Sequence, residues 1–144
     1  MQERLLQRLN DYIRLDHPDL LIRLAKEHKL SGWLIDKVKT VELLIEQLIA
    51  EGKSLQIIEE RCLEILTMDL RPSRFAYISE LLEEDFEWDY YQMREAGTTM
   101  YEVIGMIDKC RPIFDELGFC EANKNNPAIR RAVMAVLQHH LQPE

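Results

Sequence analysis

The sequence predicts an all-α protein, an irregular bundle of about six or seven helices with no sheet. Apolar residues recur at helical spacing through nearly the whole chain, most regularly at Leu34, Val38, Val41, Ile45 and Leu48. No segment alternates apolar and polar residues long enough for a strand, and short breaks with proline or glycine separate the periodic stretches. At 144 residues the chain has an ordinary domain size, so we expect one helical domain over 1–144.

The first part of the chain is expected to form three helices. Helix one covers about 3–15 and stops before Pro18, because the residue before a proline is disfavoured in helical geometry. Pro18 itself suits the first turn of a second helix over about 18–28. The stretch Leu30–Gly32 is interpreted as a break. One long helix is then predicted over 33–50.

A turn and a partner helix follow. Gly52 suits the left-handed position after a helix, and Ser54 suits the N-cap of a helix over about 55–70. The two flanking helices should therefore run antiparallel. Periodicity places Glu59 away from the core, together with Glu60 and Glu64. The residues expected inside are Leu55, Ile58, Cys62, Ile65 and Leu66.

The stretch 73–91 combines the strongest aromatic and acidic features of the chain. Ser73 is the expected N-cap of its helix, which should end near 86–88. One face is apolar, and a second apolar ridge is predicted from Tyr77, Leu81 and Trp88. The residues of the first face are Phe75, Ile78, Leu82, Phe86 and Tyr90. The end of this stretch is expected to be a capping loop or an exposed contact surface.

The last part of the chain is expected to hold a loop and then more helices. The loop covers 92–99 around Gly97, and a helix follows over about 100–110. Pro112 should separate a short helical piece from that helix. Asn126 is a suitable N-cap for a final helix over about 127–141.

The charge balance is acidic and excludes some classes of function. The net charge is −8, and residues 55–91 carry ten acidic side chains against three basic ones. Direct binding of nucleic acid or of an anionic membrane requires excess Lys and Arg, so we expect neither partner. No signal peptide and no membrane-spanning run is visible, and we expect a cytoplasmic protein.

No catalytic, cofactor-binding or metal-binding residues are predicted. The three cysteines have spacings that match no zinc pattern, and Cys62 lies on the apolar side of its helix. His139 and His140 point to different faces, and the chain has no HExxH, P-loop, GxGxxG or GxSxG motif. His28 and His140 lie near apolar stripes, where a hydrogen-bonded histidine of the core boundary is the expected role.

The acidic aromatic helix is the one stretch with a predicted functional surface. Aromatic side chains flanked by carboxylates are typical of an interface, although a core helix with a solvated acidic face has the same composition. A basic partner or self-association would both suit it. The residues of this candidate interaction surface are Tyr77, Glu80, Glu84, Glu87, Trp88, Tyr90 and Tyr91.

Several short segments resemble a bacterial family known only as domain-of-unknown-function family 1896, often encoded on conjugative mobile elements. They are the Leu-Asn-Asp-Tyr and His-Pro-Asp-Leu stretches at 9–12 and 17–20, the turn at 51–54, the Ser73 opening, the acidic ending at Phe86, and Ile113–Phe119. The resemblance implies a helical fold and a cytoplasmic bacterial protein. It implies no activity.

Three functions remain open from the sequence. The first is a non-enzymatic interaction protein, an accessory or regulatory factor that works through protein contacts. The second is an acidic mimic of nucleic acid that inhibits a DNA-binding protein, which requires the carboxylates of 80–89 to line one exposed strip. The third is an enzyme of unfamiliar type, which requires a pocket where a histidine or cysteine meets a carboxylate.

Overall fold

The computed structural model describes residues 1–142. Within this range the regular structure consists of nine α-helices and no strand. The predicted all-α class is confirmed, and the expected number of six or seven helices is too low. The chain divides into two compact units, one over Met1–Arg71 and one that begins at Pro72. Each unit has its own apolar core, and the interpretation of 1–144 as one domain stays a prediction.

Unit 1 consists of the helices α1 (Gln2–Asp16), α2 (Pro18–Lys26), α3 (Leu30–Lys39), α4 (Glu42–Ala50) and α5 (Leu55–Met68). Unit 2 consists, over the described residues, of α6 (Arg74–Asp85), α7 (Glu87–Ala96), α8 (Thr99–Glu116) and α9 (Pro127–Leu141). None of these helices combines the length and the apolar character that a bilayer crossing needs.

The single helix predicted over 33–50 is in fact two helices that meet at Thr40 and Val41. The Thr40 hydroxyl donates to the carbonyl of Lys37 at 2.6 Å, and the amides of Thr40 and Val41 bond three residues back, to Lys37 and Val38. Such tight bonds end an α-helix. The predicted apolar seam survives this break, because Val38 and Val41 on either side of it are both buried.

The break before α3 lies earlier in the chain than predicted. His28 has φ 56°, the left-handed conformation, and the amide of Lys29 bonds back to the carbonyl of Leu24. The chain therefore turns at 28–29, and Leu30–Gly32 forms the first turn of α3. Gly32 lies within α3 and has a helical backbone, so it does not mark the break that the sequence suggested.

The turn between α4 and α5 has the predicted geometry. Gly52 adopts the left-handed conformation at φ 76°, and the Ser54 hydroxyl accepts a hydrogen bond from the amide of Ile57 at 3.3 Å. The burial within α5 is only partly as predicted, because Leu55 and Ile65 are exposed. Four further residues with apolar side chains elsewhere in the chain are exposed as well: Ala25, Ile49, Met100 and Leu117.

Glu59 is the main departure from prediction in unit 1. Its side chain was expected on the solvent side of α5, but the residue is only 4% exposed. Its two carboxylate oxygens each lie 3.2 Å from a guanidinium nitrogen of α1, one from Arg4 and the other from Arg8. A carboxylate is tolerated at such a position only when it is paired, and here the two arginines provide the pairing.

Helix α8 in unit 2 continues through Pro112, where the sequence predicted a break. A proline inside a helix loses one backbone hydrogen bond and costs about 3 kcal/mol. Pro112 is exposed, so water can solvate the carbonyl that loses its partner. Cys110 and Phe114 on either side of it are both buried in the core of unit 2, and this packing offsets the cost.

Each of the two cores contains one of the cysteines. Cys62 lies in the core of unit 1 and Cys110 in the core of unit 2, whereas Cys120 is exposed. Burial raises the pKa of both core thiols, that of Cys110 to about 11. Both are therefore neutral thiols near pH 7, and the burial of Cys62 agrees with its predicted position on the apolar side of its helix.

We expect Glu59→Ala to lower the free energy of unfolding by about 1–3 kcal/mol, because it removes a buried acceptor that two arginines share. Glu60→Ala, at the next and exposed position of α5, is the matched control and should change it by less than about 0.5 kcal/mol. Urea denaturation measures both values. An equal loss for the two variants would show that the Arg4–Glu59–Arg8 cluster does not stabilise the protein.

His17, between α1 and α2, gives unit 1 a dependence on pH. The residue is 8% exposed, and its Nε2 lies 3.2 Å from the Tyr12 hydroxyl. Burial lowers the pKa of His17 below its ordinary 6.5, although the carboxylates of Asp19 and Asp16 act in the raising direction. The unfolded chain therefore binds this proton at higher pH than the folded one, and acid favours unfolding.

The contribution of neutral His17 should be complete above about pH 6.5 and should disappear as the pH falls through its lowered pKa. Between about pH 7 and about pH 5, wild type should lose more stability than His17→Gln, by up to ~1.4 kcal/mol per unit of pKa lowering. Denaturant titrations at the two pH values measure this difference. The exposed His139→Gln variant should keep the wild-type dependence, and an unchanged dependence in His17→Gln would contradict the assignment.

Candidate interaction groove

The chain leaves helical geometry at Phe86 and starts a new helix at Glu87. Phe86 has φ −131° and ψ 45°, and its ring packs against the core of unit 2. The predicted end of α6 near 86–88 is thereby confirmed. The loop expected over 92–99 is wrong for its first part, because α7 continues until Gly97 ends it in the left-handed conformation at φ 71°.

Helix α7 has an inner and an outer side. Tyr90 and Met93 pack against the core of unit 2, and Met93 is buried. Trp88 and Tyr91, three residues apart on the outer side, are 67% and 54% exposed. Their ring centroids lie 5.8 Å apart with the planes inclined by only 20°, so the rings are stacked. Helical spacing thus creates an aromatic pair in contact with solvent.

These aromatic rings line an open groove of about 500 Å³. Glu83 of α6 and Glu87 of α7 line it as well, and both carboxylates are exposed. Arg94 is also part of the lining, and its guanidinium carbon lies 5.9 Å from the centroid of the Tyr90 ring. The groove therefore places carboxylates beside aromatic faces, and one of those faces already carries a guanidinium.

An arrangement of this kind is suited to binding a cation. The faces of Trp and Tyr rings carry a negative partial charge and attract Lys and Arg groups. A carboxylate adds a charge-assisted hydrogen bond to the same ligand group. The contact between Arg94 and Tyr90 is an example of the first interaction within the chain itself.

The structure separates the predicted interaction residues into those that line the groove and those that do not. Glu87, Trp88, Tyr90 and Tyr91 line it together. Glu80 is exposed outside this lining, and Glu84 lies 3.4 Å from Arg130 of α9. The same guanidinium pairs with Asp85, which ties the end of α6 to α9.

Tyr77 packs inside unit 2. Its ring centroid lies 6.0 Å from that of Phe114 and 4.9 Å from that of Phe119, both in edge-on arrangements. Burial raises the pKa of Tyr77, although Arg130 acts in the lowering direction. Leu81 is buried and Tyr77 half-buried, whereas Trp88 is exposed, so the ridge predicted from these three residues is not one surface.

Sequence reasoning missed two residues of the groove, Glu83 and Arg94. Only Arg94 had a usable signal in its spacing, because it follows Tyr90 by four residues within α7, whereas Glu83 and Glu87 lie in different helices. Four-residue pairs share a side of a helix. The signal was hidden because α7 was interpreted as a loop, in which such spacing has no meaning.

A second, smaller pocket of about 310 Å³ lies beside His140 of α9. Nε2 of His140 lies 3.1 Å from a carboxylate oxygen of Glu102, and Nδ1 lies 2.7 Å from the Lys109 amine. The lysine amine can donate to Nδ1, and Nε2 can donate to the carboxylate. Both ring nitrogens are therefore engaged within the chain, as expected for a histidine at the core boundary.

Among residues 1–142, no three His, Cys, Asp or Glu side chains are grouped closely enough to hold a metal ion. Comparisons with protein-family models, with curated proteins and with solved structures found no match to this chain. The resemblance to domain-of-unknown-function family 1896 stays a prediction.

The placement of Trp88 and Tyr77 predicts effects of very different size on stability. Trp88→Ala should change the free energy of unfolding by less than about 0.5 kcal/mol, because most of the indole is already in water. Tyr77→Ala should cost about 3–5 kcal/mol, because it leaves a cavity beside two phenylalanine rings. Denaturation curves of the two variants test this, and a large loss for Trp88→Ala would mean that the indole is packed.

Proposed function

We propose that this chain is a non-enzymatic bacterial interaction protein that works in the cytoplasm and binds a basic segment of a partner protein in the groove of α6 and α7. The observation that carries the proposal is the stacked, exposed pair of Trp88 and Tyr91 next to the carboxylates of Glu83 and Glu87. Tryptophan and tyrosine are enriched among the residues that dominate binding energy at interfaces.

The charges around the groove favour a basic partner over an acidic or neutral one. Glu80, Glu83 and Glu87 are exposed in or near it, and Arg94 is the one basic side chain among the described residues that line it. An arginine or lysine of the partner would be bound both by cation–π attraction to the ring faces and by charge-assisted hydrogen bonds to the carboxylates. The acidic surroundings would also speed the encounter with such a partner at low salt.

The groove is large enough for one or two side chains of the partner. Its volume of about 500 Å³ lies in the range of small-molecule sites. We therefore expect a short linear segment as ligand, with micromolar affinity, equivalent to about −8 kcal/mol.

The acidic nucleic-acid mimic is the second candidate, and the contacts support it less. Such a mimic would present the carboxylates of 80–89 as a free row. Arg130 instead pairs with Glu84 and Asp85 in the middle of that stretch. Glu83 and Glu87 lie beside aromatic rings in the groove, which is a poor imitation of a phosphate backbone.

An enzymatic function is also supported less than binding. His140 meets Glu102 in a pocket, as the enzyme hypothesis required, but Lys109 occupies its other ring nitrogen. A general base needs a free nitrogen within reach of the substrate proton. Among its described residues, the lining of the groove contains two glutamates and an arginine but no His, Cys, Ser or Lys.

The proposal predicts binding of a short peptide in which arginines alternate with glycines. In a Trp33→Phe background, where Trp88 is the only tryptophan, the fluorescence of Trp88 should change on titration with this peptide. The same peptide with citrulline for arginine is uncharged and should bind at least about tenfold more weakly, a difference of ~1.4 kcal/mol.

Variants locate this binding in the groove. Trp88→Ala, followed by calorimetry because it removes the fluorophore, and Glu83→Gln with Glu87→Gln should each weaken the peptide at least about tenfold. Glu116→Gln, an exposed glutamate at the end of α8, is the matched control and should bind as wild type does. Equal binding of both peptides, or equal affinity in all variants, would contradict the proposal.

A further inference from the structure

Helix α5 carries exposed apolar residues on the side that faces solvent. Ile57, Ile65 and Met68 are 40%, 47% and 59% exposed, whereas the opposite side of the helix packs into the core of unit 1. At about 100° per residue, Ile57, Arg61, Glu64 and Met68 lie within about 60° of one another. The four residues form a stripe with the 4-3-4 spacing of a helix–helix seam, with apolar side chains at its ends and opposite charges in between.

The order of side chains along this stripe is self-complementary. An antiparallel second copy of α5, with the two-fold axis between residues 62 and 63, sets Ile57 opposite Met68 and Arg61 opposite Glu64. Two-fold symmetry makes each pairing occur twice, because residue i meets j and j meets i. A parallel copy would instead bring Arg61 against Arg61 and Glu64 against Glu64, which is repulsive.

The two charged residues of the stripe are available for such pairing. Arg61 and Glu64 are both exposed, and neither forms an ion pair with another of the residues 1–142. Glu59 on the inner side of the same helix, by contrast, is already engaged by Arg4 and Arg8. The ion pairs inside unit 1 therefore leave the charges of the outer side of α5 unused.

We propose that this chain forms an antiparallel homodimer through the exposed face of α5. The occupant of the face is a second copy because charge and apolar positions match when the face meets itself. The 14 residues of α5 span about 21 Å. One helix pair of this length buries less than the ~1,200 Å² of typical stable interfaces, so the dimer is weak and dissociates on dilution.

The proposal does not depend on the groove, which belongs to α6 and α7 of unit 2. Loss of peptide binding would leave the dimer intact, and loss of the dimer would leave peptide binding intact. The two proposals can therefore fail separately.

A charge-reversal experiment with the full chain tests the pairing. Sedimentation velocity over a concentration series should show a reversible monomer–dimer equilibrium. Arg61→Glu and Glu64→Arg, each alone, place two like-charge pairs in the interface and should raise the dimer Kd at least about tenfold. The double variant restores both opposite-charge pairs and should return the Kd to within about threefold of wild type.

Lys53→Glu is the matched control for Arg61→Glu, because it makes the same charge change at the exposed turn before α5. Its Kd should equal that of wild type. A monomer at all concentrations would overturn the proposal. So would single reversals without effect, or a double reversal that fails to restore a dimer.

Cross-linking tests the register independently. In a Cys120→Ser background, the combination of Ile57→Cys and Met68→Cys should give a disulfide-linked dimer on oxidation. The two cysteines cannot bridge within one chain, because eleven residues of helix separate them by about 16 Å. Each single cysteine should stay monomeric, and covalent dimers formed equally well by the single variants would overturn the antiparallel pairing.

Discussion

The interruption at Phe86 determines the functional geometry of unit 2. The backbone leaves helical geometry at this residue, while the ring stays packed against the core. If α6 continued without a break, residues 87–91 would be further turns of α6. Their side chains would then follow the inner and outer faces of α6, and α7 could not present an outer side of its own. Because α7 is a new helix that starts at Glu87, Tyr90 and Met93 can pack against the core while Trp88 and Tyr91 face solvent.

Ion pairs link neighbouring helices in both units, but the pairs differ in how exposed they are. Glu59 is buried and satisfies two arginines of α1, so its energetic effect should exceed that of an ordinary surface pair. Arg130, which joins Glu84 and Asp85, is partly exposed, and pairs of that kind contribute little to stability. The pair nevertheless links the last turn of α6 to α9.

Periodicity and turn chemistry explain how much of the fold was predictable. The caps at Ser54, Ser73 and Asn126 all accept the hydrogen bonds expected of them. The apolar seam of 34–48 was also correct, because burial depends on helical period and the period survives a short break. The break itself was not predictable, since it depends on a hydroxyl bond at Thr40 that competes only weakly with helix continuation.

The other errors came from interactions between distant residues. Glu59 looks like any surface glutamate until α1 brings two arginines to it, and Pro112 looks like a break until packing on both sides is known. For the groove, the aromatic and acidic composition was visible in the sequence. Which of these residues face the core and which face solvent depends on where α7 starts. No local sequence signal marked that start clearly.

The distribution of the cysteines has a practical consequence for studying motion. Because the buried thiols of Cys62 and Cys110 lie in different cores, a thiol reagent can reach each one only when its own unit opens. Mass spectrometry of proteolytic fragments can measure the rate of modification of each thiol separately. The rate at Cys62 then reports the opening of unit 1, and the rate at Cys110 reports the opening of unit 2. Cys120, which is exposed, supplies the rate at which an unprotected thiol of the same chain reacts.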